Sequence, residues 1–96
     1  MNLGKEFSNK KICVKFNDIN QIDTLEKVIR NWLFEDTHII NSKLNHGVYS
    51  KWLREGYELS VGITDDWAEV MTDEWFKDHG YKQVGYEEFI QNLREN

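Results

Sequence analysis

Apolar and polar residues alternate through KICVKFN, where Ile12, Val14 and Phe16 are separated by Cys13 and Lys15. A period of two predicts a strand with one buried face. In DINQIDTLEKVIRNWLFED the period lengthens: Ile22, Leu25, Ile29, Trp32 and Leu33 recur at helical spacing. Asn20 stands as N-cap with Asp23 three residues on, so the main helix is predicted over roughly 20–35. Thr37 to Ile40 suggests a short strand, and NSKLNHG is a loop by composition. VYSKWLREGY accommodates either a strand or an extended loop. Extended, it would put Ser50, Trp52 and Arg54 on one face and Tyr49, Lys51 and Leu53 on the other.

The pattern is clearer beyond this point. Tyr57, Leu59, Val61 and Ile63 alternate with Glu58, Ser60, Gly62 and Thr64 as a strand, Asp65-Asp66 supplies a turn, and WAEVM returns as the hairpin partner. Thr72 caps a short helix with Asp73 and Glu74 in its first turn, and Gly80 ends it. YKQV is a further strand, and Tyr86 to Arg94 a final helix with Phe89, Ile90 and Leu93 on one side. Met1 to Asn9 reads as a polar lead-in. The order β-α-β-(β)-β-β-α-β-α predicts an α+β fold: a small, mostly antiparallel sheet with one main amphipathic helix and two short C-terminal helices on one face. At 96 residues this is one domain, 1–96.

Composition narrows the function. With 40% apolar and 30% charged residues the chain is globular, and its 13 aromatic residues supply much of a small core. A net charge of −5 disfavours binding to nucleic acid or an anionic membrane over the whole surface. Cys13 has no partner for an internal disulfide, and MNLGKEFSNKK lacks the apolar core of a secretory signal, so the cytoplasm is the expected compartment.

The opening strand KICVKF, the amphipathic helix ending in NWLFED, the YELSVGI strand and the closing GYKQVGYEEFI resemble small accessory proteins of tailed bacteriophages. The resemblance covers most of the chain and its motifs are structural. It implies phage accessory biology in a bacterial host cell, including antagonism of host defence, and carries over no active-site residue.

Searching for chemistry by residue type gives little that suggests an enzyme. Cys13 lies inside a predicted strand, and His38, His46 and His79 fall in no nucleophile signature. Zinc-ligand spacing, a P-loop and GxGxxG are absent from the sequence, so neither a metal nor a cofactor is expected. Glu87 and Glu88 are adjacent and diverge on a helix, where the dipole already accounts for them.

Two segments remain. From Lys43 to Tyr57, cations interleave with rings: Lys43, Tyr49, Lys51, Trp52 and Arg54, with Trp67 as a further aromatic, could stack a base and meet phosphates. The leading expectation is therefore a non-enzymatic binder that sequesters a small nucleotide signal, enclosed at a homo-oligomer interface. The alternative is an acidic face, Asp65, Asp66, Glu69, Asp73, Glu74 and Asp78, that blocks a basic host protein such as a nucleic-acid-binding enzyme.

Overall fold

The computed structural model describes residues 2–33, 39, 44–65 and 67–95. Lys43, Asp66, the Trp32 side chain and the 37–40 strand, Ile39 excepted, lie outside what is described. The elements are α1 (Leu3–Ser8), β1 (Ile12–Phe16), α2 (Ile19–Trp32), α3 (His46–Arg54), β2 (Leu59–Ile63), β3 (Ala68–Thr72), α4 (Asp73–Asp78), β4 (Lys82–Gly85) and α5 (Tyr86–Glu95). They form an α+β fold around a four-stranded sheet of order β3-β2-β1-β4. β1 pairs antiparallel with β2, and β2 with β3, while β4 runs parallel to β1, so the sheet is mixed. Ile39 adds a parallel bridge to Ala68. No helix among the described residues is long and apolar enough to cross a membrane.

One face of the sheet carries the core. Ile12, Val14, Phe16, Leu59, Val61 and Ile63 alternate onto it and meet Leu3, Phe7, Ile22, Leu25, Ile29, Phe89, Ile90 and Leu93 from α1, α2 and α5. Burying a side chain of this size contributes about 1.5–3 kcal/mol, so this layer dominates stability.

Four local expectations are corrected. The lead-in is a helix: Leu3 and Phe7, one turn apart, are buried, the Phe7 and Phe89 rings lie 5.3 Å apart, and Asn2 caps the Lys5 N–H. Asp18, not Asn20, caps α2 by accepting from the Gln21 N–H. The 46–54 segment is helical, because its apolar residues fall into two pairs at a spacing of four, Tyr49 with Leu53 and Val48 with Trp52. The first pair packs on the core, so the alternation expected of an extended chain does not arise.

The fourth correction positions the site. α4 does not join the other helices but packs on the opposite sheet face. Cys13 and Gly62 stand across from each other on β1 and β2, and the Phe76 ring of α4 lies directly over Gly62. A Cβ at Gly62 would fall 2.7 Å from the Phe76 ring, so only glycine admits this approach. Trp75 and Tyr81 flank Phe76 at centroid distances of 5.3 and 4.9 Å. Gly80, at φ +84°, ends the helix in the left-handed conformation.

Candidate functional site

Thr72 closes β3 and caps α4, its hydroxyl accepting from the Trp75 N–H at 3.2 Å. Asp73 is therefore the first residue of the helix, held at the sheet surface by its own N–H bonded to the Glu58 carbonyl. Its carboxylate turns down onto the polar part of the second sheet face. Ser60 Oγ donates to Asp73 Oδ1 at 2.6 Å, Gln83 Nε2 donates to Oδ2, and Lys15 Nζ stands 3.7 Å from Oδ2. Lys15 also bonds Glu58 at 2.8 Å. Ser60 is fully buried and Asp73 mostly so, which explains why the carboxylate needs this full set of partners.

A cleft of about 550 Å³ opens between α4 and this face. Cys13, Gln83 and Tyr81 form its floor and wall, while Glu58, Asp73, Glu74 and Asp78 place four carboxylates around it against Lys77. Glu74 and Asp78 are one turn apart, so both point to the same side of α4.

The electrostatics follow from these contacts. The Lys15 ammonium, as hydrogen-bond donor and then as charge, holds Glu58 below the usual carboxylate range, and that bond with Glu58 raises Lys15. Burial pushes the Cys13 thiol up to about 11, only partly opposed by its contact with Ser60. A thiol in that condition stays protonated at neutral pH and is a poor nucleophile. No group of three His, Cys, Asp or Glu able to hold a metal ion occurs among the described residues. The cleft presents carboxylate acceptors and negative charge rather than an activated thiol.

The acidic residues singled out from sequence thus divide. Asp73, Glu74 and Asp78 line the cleft, Glu69 accepts the Trp67 indole N–H at 2.8 Å, and Asp65 lies in the turn before β3, near Tyr81. The basic-aromatic residues divide as well. Tyr49 is buried in the core, and Trp67 is bound to Glu69 at the sheet edge. Lys51, Trp52 and Arg54 are exposed on α3, a convex helix surface. A groove of about 220 Å³ beside the end of α3 is lined by Leu53, Tyr57 and Glu58 among others, but by none of those three.

Glu58, Ser60, Gln83 and Cys13 were not candidates on sequence. The available signal was in β2 itself: Ser60 and Gly62 are small, where a solvent-facing strand carries larger polar side chains, and small residues mark a close approach from above.

No family model matches this chain, and no similar curated protein or solved structure is found. The resemblance to phage accessory proteins therefore rests on the sequence segments quoted above.

Proposed function

We propose that the protein is a non-enzymatic binding module that receives a basic segment of a partner protein in the cleft between α4 and the sheet. The observation that carries this reading is the charge at a cleft of about 550 Å³: Lys15 answers Glu58 and Asp73, while Glu74 and Asp78, beside Lys77, have no ion pair among the described residues. A guanidinium or ammonium group entering it would meet Glu74 and Asp78 through charge-assisted hydrogen bonds, with its aliphatic stem along Tyr81. Such a surface suits a phage antagonist of a basic host protein, for example a nucleic-acid-binding enzyme.

Fluorescence anisotropy with a labelled nonaarginine peptide tests this reading. The wild-type protein is expected to bind, more weakly as salt rises from about 50 to about 200 mM. Glu74→Lys with Asp78→Lys should weaken binding at least about tenfold. Glu88→Lys with Glu95→Lys, which changes net charge equally on α5, should leave it within about threefold. Equal losses in both pairs, or no binding by the wild type, would refute the reading.

A second reading, sequestration of a small nucleotide by α3, is favoured by the exposed Trp52 and Tyr57 rings, 6.4 Å apart, beside Lys51 and Arg54. A convex helix needs a second surface to enclose a base. A thermal shift with cyclic or linear nucleotides that disappears in Trp52→Ala with Arg54→Ala supports it, and no shift with any of them refutes it.

A further inference from the structure

Charge alone does not choose between the two basic side chains, since lysine and arginine bring the same unit charge to Glu74 and Asp78. The rest of the cleft wall does. β4 lies at the sheet edge in parallel register with β1, Cys13 opposite Gln83. Tyr81 and Gln83, two positions apart and so roughly 7 Å along the chain, therefore stand on the same sheet face as Cys13 and line the cleft side by side.

Both groups are held in place. Tyr81 Oη donates to the Ile63 carbonyl at 2.5 Å, and its ring meets the Phe76 ring at 67° with centroids 4.9 Å apart, while the rest of the side chain stays partly exposed. Gln83 turns its NH2 group to Asp73 Oδ2, because a carboxylate can only accept. That leaves Gln83 Oε1, which has no hydrogen-bond partner among the described residues, as a neutral acceptor at the cleft wall. Groups fixed before a ligand arrives cost less to order when it binds.

We infer that the cleft selects arginine over lysine and that Tyr81 sets the preference, a selectivity that presupposes the reading of the cleft as a receiver of basic segments. A guanidinium is flat, weakly hydrated and donates from five N–H groups. It can lie on the Tyr81 ring while its edges turn to Glu74, Asp78 and Gln83 Oε1. An ammonium is a compact, strongly hydrated charge that gains less from a ring face and keeps part of its water shell in a cleft of about 550 Å³. Lys77 repels both cations alike, and Lys15 is engaged by Glu58 and Asp73, so neither lysine alters the choice.

Nonaarginine and nonalysine carry equal charge, so the ratio of their Kd values, read by fluorescence anisotropy at about 100 mM salt, isolates the preference. The wild type should favour nonaarginine at least about fivefold. Tyr81→Leu should bring the ratio down to about twofold, the share left to bidentate carboxylate pairing. Tyr81→Phe, which keeps the ring and gives up the Ile63 hydrogen bond, should retain most of the preference, both variants keeping the wild-type circular dichroism spectrum. In the wild type, the NMR resonances of the Tyr81 ring should move with nonaarginine and hardly at all with nonalysine, a readout that needs no substitution. Equal affinity for the two peptides, an unchanged ratio in Tyr81→Leu, or a ratio lost in Tyr81→Phe would overturn the selectivity and leave the cleft a general receiver of basic segments. No binding of either peptide would overturn both.

Discussion

Gly62→Ala adds one methyl group where the second sheet face has no room for it. The new Cβ falls 2.7 Å from Phe76 Cε1, 3.0 Å from its Cζ and 3.4 Å from Cys13 Cβ. Carbon atoms sit comfortably at about 3.5–4.0 Å, so the ring must retreat by up to about 1 Å. Phe76 is fully buried between Trp75 and Tyr81, so the shift passes into α4 as a whole. Overpacking of this kind costs about 1–3 kcal/mol, while alanine returns about 0.4–1 kcal/mol by restricting the unfolded chain. The expected net loss is about 1–2 kcal/mol, a fall in Tm of about 4–8 °C for each kcal/mol in a domain of this size. Phe76→Leu removes Cε1 and Cζ, the two ring atoms in the clash. In that background Gly62→Ala should be neutral or stabilising, giving a coupling of at least about 1 kcal/mol. Urea denaturation of the four proteins measures it. Equal loss in both backgrounds, or a more stable single variant, would refute the seating of Phe76 over Gly62.

Cys13 gives a pH signature: burial raises its folded pKa to about 11, above the ordinary thiol value of 9.0, so the buried thiol's contribution is complete below pH 9 and declines as pH rises toward 11. The decline amounts to about 2.7 kcal/mol at most, and it should flatten in Cys13→Ala when urea midpoints are compared across that range. Thr72→Ala removes the acceptor of the Trp75 N–H and should cost about 1 kcal/mol by the same assay, with Thr72→Ser recovering most of it; an alanine variant as stable as wild type would show that the cap contributes nothing.

The core face was legible in the sequence because its two periods were clean. Ile12, Val14 and Phe16 repeat every two residues, and Ile22, Leu25 and Ile29 every three or four, so strand, helix and the buried side of each follow directly. What was not legible had weaker or composite periodicity. Leu3 and Phe7 are only two apolar residues in a polar stretch, and their burial depends on meeting α5, more than 80 positions later. In α3 the paired spacing of Tyr49–Leu53 and Val48–Trp52 was present but obscured by the cations between them. The parallel β1–β4 pairing likewise needs the chain's return through α4, which no local pattern encodes.

The site was half legible for a different reason. Sequence marks where charge is concentrated, but only the fold separates carboxylates that build from carboxylates that wait. Asp73 is spent on structure: Ser60, Gln83 and Lys15 occupy it, and it fixes the start of α4 over the sheet. Reversing its charge would set a cation against Lys15 in a mostly buried site, so a loss of binding there would report unfolding as readily as a lost contact. Glu74 and Asp78, exposed on the outer side of α4 and without an ion pair among the described residues, carry charge whose removal leaves that network intact. The anchoring carboxylate sets where the cleft lies, and the outer pair carries the charge that the proposed basic segment would meet. Substitutions at the outer pair therefore separate recognition from stability, and substitutions at Asp73 cannot.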